Sequence, residues 1–244
     1  MQVEGFTELV APPGTGRIFS EPVRPGFADS APSGRVRLDA LARWIQNVAY
    51  ADVADAGLEH AAAWVVRRTR ICVNRFPWFR GHFTIATFCS GLGRMWAERR
   101  TTVTQAGEDQ SNVEAVSLWV HLDPDDWRPV PLSEEELSVY AGSTAGREVT
   151  ARLRHPTPES IERSSTWTFR ATECDIAGHI NNAAYWEPLE EELLGTGEPE
   201  RIDAEIEYRT PAQPGETLIL RGGPRRWIVS GGGEIHASMI VASD

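Results

Sequence analysis

The segment from residue 172 to residue 185, TECDIAGHINNAAY, concentrates side chains that can do chemistry. Within eight residues it carries an acid, a glycine, a histidine and two amides, namely Asp175, Gly178, His179, Asn181 and Asn182. A carboxylate can take a proton from water, and a histidine with a near-neutral ordinary pKa can act as base or proton donor. This combination is typical of a site in which water attacks a carbonyl group.

The flanking residues predict how this segment is held. The preceding stretch, TWTFRATE, alternates apolar and polar residues like a half-buried strand, and the following AAYWEPLEEELL predicts a helix from about residue 182 to 194. The backbone N–H groups at the helix start, around Gly178, Asn181 and Asn182, are then candidate donors to an oxyanion. The alternative is structural: Asp175 and Asn182 cap the helix and His179 is a turn residue with satisfied hydrogen bonds.

The order of predicted elements repeats along the chain. A tail (1–17) precedes a first unit (18–122), a connector (123–160) with a short predicted helix SEEELSVY, and a second unit (161–244). Aligning Gly178-His179-Ile180 with Gly34-Arg35-Val36 superposes the two strand–turn–helix junctions, and Arg35 then stands where His179 would. We therefore expect one active site per chain, in the second unit.

The composition is that of an ordinary globular protein. The chain has 244 residues, 41% hydrophobic and 24% charged, with a net charge of −11. Neither a membrane-spanning apolar run nor a signal-peptide core is evident, so a cytoplasmic location is expected. The sequence shows no metal-ligand cluster, phosphate loop or nucleotide fingerprint, so no metal, cofactor, nucleic acid or membrane partner is expected. The three cysteines, Cys72, Cys89 and Cys174, have no metal-like spacing and are interpreted as structural.

All basic residues of the chain are arginines, and they cluster in one region. Residues 67–100 contain a single acid and eight arginines: Arg67, Arg68, Arg70, Arg75, Arg80, Arg94, Arg99 and Arg100. Two interpretations remain open. The arginines are solvated strand faces, or all but Arg80 belong to a basic patch that docks an acidic carrier protein or holds a coenzyme A phosphate.

Two motifs resemble known enzymes. The pattern D-x-x-G-H-I-N-N-x-x-Y resembles the hotdog-fold thioesterases, and the order WVVRRTRICVNRFPWFR, GRMWAERRTTV, SLWVHL resembles the fatty acyl-acyl-carrier-protein (ACP) thioesterases of plants and bacteria. The resemblance covers roughly residues 18–220. It implies an α+β fold, a tandem (double) hotdog in which a continuous antiparallel sheet wraps two long central helices. An acyl slot between the units would then be lined by Trp44, Ile45, Tyr185 and Trp186.

The resemblance also implies an activity, hydrolysis of fatty acyl-ACP in fatty acid biosynthesis, with Asp175 and His179 as the catalytic pair. The chain departs from the family pattern at Ala177, where an asparagine is usual, and at Pro211 and Ala212, where a further acid or cysteine is usual. An acyl-CoA thioesterase and a non-catalytic acyl-thioester-binding protein therefore stay open as alternatives. The expected partner is ACP or a coenzyme A thioester, and pairing into a homodimer stays open.

Overall fold

One antiparallel sheet dominates the computed structural model, which describes residues 5–59 and 63–243. Within those residues it has ten strands: β1 (Phe19–Val23), β2 (Ala63–Val73), β3 (Phe83–Leu92), β4 (Trp96–Gln105), β5 (Ser111–Leu122), β6 (Arg163–Phe169), β7 (Ile202–Tyr208), β8 (Gly215–Gly222), β9 (Arg225–Ser230) and β10 (Ile235–Ser243). The strand predicted from the alternation in TWTFRATE is present as β6, with its ends shifted by a few residues.

The strand order shows an internal repeat. Across the sheet the order is β1-β3-β4-β5-β2-β7-β10-β9-β8-β6. Counted from the edge to the centre, each half therefore has its own five strands in the order first, third, fourth, fifth and second. Strands β2 and β7 pair antiparallel at the centre, from Arg68 opposite Glu207 to Val73 opposite Ile202, and join the halves into one sheet. The predicted tandem hotdog with a continuous sheet is confirmed, whereas the unit limits 18–122 and 161–244 stay a prediction.

The helices differ in length between the halves. The described residues form α1 (Leu38–Asp55), α2 (Glu134–Tyr140) and α3 (Glu187–Thr196), and a 3-10 turn (Ala184–Trp186) leads into α3. The predicted second helix is therefore broken into a turn and a shorter helix. Pro188, in the first turn of α3, has no N–H to bond a carbonyl four residues back, so it suits a helix start and not a helix interior.

One apolar core joins the two halves. Leu38, Leu41, Ile45 and Val48 form the buried face of α1, at the spacing that predicts an amphipathic helix. They belong to the same buried cluster as Leu189 of α3 and the central strand residues Ile71 and Ile206.

The connector contributes α2, whose Ser133 and Glu136 form the capping box typical of a helix start. Among the described helices, none is both long and apolar enough to cross a bilayer.

Candidate active site

A tight turn between β6 and α3 carries the predicted catalytic residues. Its ends are held by a bridge between Cys174 and Ile180, and the backbone N–H of Asp175 donates to the His179 carbonyl at 3.0 Å. The N–H of Gly178 donates to the Asp175 carbonyl at 3.0 Å, with Gly178 in the left-handed region at φ 75°. These backbone hydrogen bonds bring Asp175 and His179 together across the turn.

The Asp175 carboxylate is oriented by its neighbours. Its Oδ1 accepts the backbone N–H of Ala177 at 2.9 Å, and its Oδ2 accepts the Nδ2–H of Asn181 at 3.1 Å. Asn181 is itself fixed, because its Oδ1 accepts the N–H of Ala183 at 2.9 Å. A carboxylate offers about four lone-pair sites, so the half-buried Asp175 retains acceptor capacity for a water molecule. The His179 ring is also half-buried and makes no hydrogen bond to the described residues.

The predicted oxyanion donors are only partly available. The N–H of Gly178 is used within the turn, and the N–H of Asn181 donates to the Glu173 carbonyl at 2.8 Å. The N–H of Asn182 has no partner among the described residues, so of the three predicted donors it is the one left free. Its equivalent in the first half is Leu38, whose N–H donates to a carboxylate oxygen of Glu190 at 3.0 Å. That contact shows that a donor at this helix start can bind an anionic oxygen.

The equivalent turn of the first half carries neither the aspartate nor the histidine. Gly34 is left-handed at φ 99°, and the N–H of Ala31 donates to the Arg35 carbonyl at 2.8 Å, so the two turns share one geometry. Ala31 stands where Asp175 stands in the second half. Arg35 is buried, pairs with Glu190 at 2.8 Å and also contacts Glu198. The first-half turn therefore holds an ion pair between the halves.

Gln46 is a site residue that the motif alone does not reveal. It lies twelve residues after Gly34, as Glu190 lies twelve residues after Gly178, so the two residues are equivalent. Glu190 of α3 reaches the first-half turn, and Gln46 of α1 lines a cavity together with Asn182 and Ala183 of the second-half turn. Its carboxamide is half-buried and has no hydrogen-bond partner in the described part of the chain. Alignment of the two copies through their helices would have pointed to it.

Two cavities lie between α1 and the sheet. The motif cavity, about 10 Å³, is lined by Ile45, Gln46, Asn182, Ala183 and Trp119, among others. The Tyr140 cavity, about 20 Å³, is almost wholly apolar and shares the Trp119 wall with the first. Its lining includes Ala49, Tyr50, Val53, Cys89, Arg99 and Tyr140.

The charge of Asp175 acts on one residue of the Tyr140 cavity, Tyr50. Burial and the negative charge of Asp175 both raise the pKa of Tyr50, which lines this cavity. The Asp175 carboxylate is therefore close enough to Tyr50 for a direct electrostatic effect.

The four predicted acyl-slot residues have different surroundings. Ile45 lines the motif cavity, whereas Trp44, Tyr185 and Trp186 are buried in the core and line neither cavity. Tyr185 and Trp186 hold the turn in place: the Tyr185 hydroxyl accepts the N–H of Ala212 at 2.8 Å, and Trp186 Nε1–H donates to the Tyr208 hydroxyl at 3.1 Å.

At the position where a further acid or cysteine is usual in the family, this chain has Pro211 and Ala212. Ala212 is fully buried, and its carbonyl accepts the N–H of Ile180 at 3.1 Å, so it pins the end of the catalytic turn. Its own N–H is already bound by Tyr185. The neighbouring Pro211 has no N–H, so neither residue supplies a reactive group.

The arginine cluster is not one docking patch. Arg68, Arg99 and Arg100 are buried, because each is paired with a carboxylate, of Glu207, Asp52 and Glu114 respectively. The half-buried Arg70 pairs with Asp203 at 2.6 Å, and Arg67 donates to the Arg209 carbonyl at 3.1 Å. The three buried arginines are thus unavailable to a carrier, a correction of the prediction. Arg75 and Arg94 are exposed, and docking through them stays a prediction.

One buried cluster has the composition of a metal site. His155, Glu205 and Glu207 lie together on the outer face of β7. Their carboxylates already accept N–H groups: Glu205 from Thr7 at 2.7 Å, and Glu207 from Arg154 at 2.7 Å and His155 at 2.9 Å. Since these donors and nearby arginines compensate the charge, the cluster fits a clamp that holds the N-terminal tail and the connector on the sheet.

Known proteins resemble this chain over most of its length. It is 28% identical over 217 residues to an uncharacterized protein of Mycobacterium tuberculosis, covering 87% of this chain and 85% of that one. It is 26% identical over 167 residues to the chloroplastic oleoyl-acyl carrier protein thioesterase of Coriandrum sativum, covering 62% of this chain but only 44% of the plant protein. An acyl-ACP thioesterase from Bacteroides thetaiotaomicron has the same fold, with a TM-score of 0.71 at 20% identity over 93% of this chain and 98% of that one.

A family profile gives the assignment. The acyl-ACP thioesterase N-terminal domain matches residues 18–140, half of the chain, and the second half carries the turn with Asp175 and His179 described above. The chain therefore belongs to the acyl-ACP thioesterase family, thioester hydrolases of hotdog fold.

Proposed function

We propose that this protein hydrolyses fatty acyl-ACP to free fatty acid and ACP, in the cytoplasm and as part of fatty acid biosynthesis. The observation that carries the proposal is the turn in which the N–H of Asp175 donates to the His179 carbonyl and the Asp175 carboxylate is oriented by Ala177 and Asn181. Hydrolysis of a thioester needs a base for the attacking water, and Asp175 is the base that we propose.

The reaction we infer uses one water molecule. Asp175, oriented by Ala177 N–H and Asn181, accepts a proton as the water oxygen attacks the thioester carbon. The carbonyl oxygen becomes an oxyanion, which the N–H of Asn182 and the carboxamide of Gln46 stabilise. The carbon–sulfur bond then breaks and the leaving thiolate takes a proton from His179. The proton that Asp175 accepted from water then passes to His179, so that both groups return to their starting state. The products are the fatty acid and the free thiol of the carrier.

We propose that Gln46 and Asn181 together replace the asparagine that is usual in the family at the position of Ala177. In this mechanism Asn181 orients the aspartate from within the turn, and Gln46 supplies a polar group from the other half of the molecule. The first-half turn carries Ala31 and the paired Arg35 where the second has Asp175 and His179. We therefore propose one active site per chain.

One experiment distinguishes the proposed function from two alternatives. This chain has Ala177 and Ala212 where the family usually has an asparagine and an acid or cysteine. The absence of those residues favours an acyl-CoA thioesterase, and it also favours a non-catalytic binding protein. Purified protein is incubated with acyl-ACP and acyl-CoA of several chain lengths, and thiol release is followed with Asp175→Asn as the control. Faster hydrolysis of acyl-ACP supports the proposal, faster hydrolysis of acyl-CoA moves the assignment to the coenzyme A thioester, and no hydrolysis of either indicates a binding protein.

A further inference from the structure

The buried hydroxyl of Tyr208 makes two hydrogen bonds. It accepts the indole N–H of Trp186 at 3.1 Å and donates to the backbone carbonyl of Asn182 at 3.0 Å. Burial raises the pKa of Tyr208 above its ordinary value of 10.0, so the hydroxyl keeps its hydrogen and remains a donor. From the end of β7, Tyr208 therefore holds the peptide group that follows Asn182.

The hydrogen bonds continue from this peptide group to the catalytic carboxylate. The same peptide group carries the N–H of Ala183, which donates to Asn181 Oδ1 at 2.9 Å. The carboxamide of Asn181 in turn donates its Nδ2–H to Asp175 Oδ2 at 3.1 Å. From Tyr208 onward every bond donates in the direction of Asp175, and hydrogen bonds in such a chain polarise one another. A change at the Tyr208 hydroxyl can therefore reach the Asp175 carboxylate.

The first half carries none of these side chains. Tyr208 is the last residue of β7 as Val73 is the last residue of β2. Each lies four residues before the carbonyl that accepts an N–H of the turn, Ala212 in one half and Pro77 in the other, so the two residues are equivalent. The hydrogen-bond chain is thus not required by the fold, and it occurs in the half with the catalytic pair. Where the second half has Asp175, Asn181, Trp186 and Tyr208, the first has Ala31, Arg37, Ala42 and Val73.

Packing accounts for the ring of Tyr208 but not for its hydroxyl. The ring lies edge-on to that of Tyr185, with centroids 5.4 Å apart, and a phenylalanine would make the same contact. Tyr208 is only 7% exposed, and a buried hydroxyl is tolerated when it is hydrogen-bonded. The hydroxyl is therefore the part of the residue that needs a further explanation.

We infer that Tyr208 is a positioning residue of the hydrolysis, which acts on Asp175 through the peptide group of Asn182 and the carboxamide of Asn181. This inference rests on the proposed thioesterase function and adds a residue to its site. Asp175 must hold the attacking water close to the thioester carbon, and a small misplacement of a reacting group lowers the rate steeply. Tyr208 contributes by keeping the carboxylate in place.

The first test removes the hydroxyl and keeps the ring. Tyr208→Phe should lower kcat for acyl-ACP on the order of tenfold with little change in KM. Thr87→Val is the matched control, because the buried Thr87 hydroxyl also donates one hydrogen bond and accepts one, in β3 of the first half. The control should cost similar stability in urea unfolding and leave kcat unchanged. No loss of kcat in Tyr208→Phe, or an equal loss in both variants, overturns the inference and leaves the thioesterase assignment intact.

A double-mutant cycle tests the route through Asn181. Asn181→Ala interrupts the chain next to Asp175, so adding Tyr208→Phe to it should lower kcat little further. Two independent contributions would instead give losses that multiply. A double variant whose loss equals the product of the single losses overturns the inference.

The chain can also be observed without turnover. In proton–nitrogen correlation NMR spectra, Tyr208→Phe should move the Ala183 N–H and Asn181 Nδ2–H proton resonances upfield as their hydrogen bonds weaken, and Thr87→Val should not move them. If the wild type hydrolyses no thioester, the proposed function fails, and these spectra still test the chain: unmoved resonances overturn it. Should Tyr208→Phe not fold, 3-fluorotyrosine in place of Tyr208 keeps the hydroxyl as a stronger donor. It should move the same resonances downfield, and unmoved resonances again overturn the chain.

Discussion

Gln46 and Glu190 are equivalent residues of the two halves, and each lies beside the turn of the other half. Glu190 receives the N–H of Leu38 at 3.0 Å and the guanidinium of Arg35 at 2.8 Å. Gln46 lines the motif cavity with Asn182, the equivalent of Leu38. The repeat has therefore kept a polar group at this position in both helices, with a structural ion pair in one half and an unpartnered amide in the other.

Gln46→Ala should lower kcat without lowering stability. If the carboxamide stabilises the oxyanion, its loss removes an interaction made mainly in the transition state, and kcat should fall on the order of tenfold to a hundredfold with a smaller change in KM. Kinetics with acyl-ACP and thermal unfolding are measured together. Asn47→Ala is the matched control, because Asn47 is the next residue of the same helix and is exposed. Equal kinetics for the two variants would show that Gln46 takes no part in the reaction.

Arg35→Ala should destabilise the protein. Arg35 is 3% exposed in its side chain, and its removal leaves Glu190 as a buried charge whose one remaining hydrogen-bond donor among the described residues is the Leu38 N–H. Breaking one partner of a buried ion pair typically costs about 3–5 kcal/mol in the free energy of unfolding. Urea unfolding measures this cost, with the exposed Arg24→Ala as the control. A loss no larger than that of the control would contradict the role of Arg35 as the link between the halves.

The sequence predicts most of the fold, because its signals are local. Alternating residues indicate the strands, and apolar residues at helical spacing indicate α1. The turn of Asp175 and His179 also follows from neighbouring residues. The break at Pro188 could have been predicted from the proline itself.

Contacts between distant residues could not be predicted in this way. Arg68, Arg99 and Arg100 read as a basic surface, but their partners Glu207, Asp52 and Glu114 lie elsewhere in the chain and become neighbours only in the folded sheet. The role of Gln46 likewise depends on how the halves pack. The walls of the Tyr140 cavity include residues of β4, β5 and α2, three elements whose meeting no single stretch of sequence encodes.

Charge reversal at the exposed arginines tests carrier docking. Arg75→Glu and Arg94→Glu should raise KM for acyl-ACP several-fold and leave kcat nearly intact, because binding lost equally from ground and transition states has that kinetic effect. The effect should shrink at high salt, since exposed charges are screened over about 10 Å at 0.1 M. Arg163→Glu, on the exposed edge strand β6, changes the net charge equally and should leave KM unaltered. The same rise in KM for all three variants would indicate a general charge effect instead of a docking site.

Glu187 should make stability fall as pH rises. Burial, then the nearby Glu173 and Asp39 carboxylates, raise the pKa of Glu187 to about 7 from the ordinary 4.5, against the opposing Arg43 and Arg37. Between these values the folded protein keeps a proton that the unfolded chain has lost, so stability decreases from about pH 4.5 to about pH 7 and then levels.

Glu187→Gln removes this titration. The melting temperature of the variant should therefore exceed that of the wild type at pH 8 and approach it at pH 4.5. Glu191→Gln, an exposed residue of the same helix, serves as the control for the loss of one negative charge. A difference between wild type and Glu187→Gln that does not change with pH would contradict the raised pKa.

The most direct measurement of the central claim is the rate of thiol release from acyl-ACP by Asp175→Asn and His179→Ala, each compared with the wild type. The asparagine keeps the shape and much of the hydrogen bonding of Asp175 but removes the basic oxygen, so kcat should fall on the order of a hundredfold or more. His179→Ala should cause a comparable loss. Thermal unfolding establishes that both variants stay folded. Folded variants that retain near wild-type rates would contradict the assignment of this pair to the reaction.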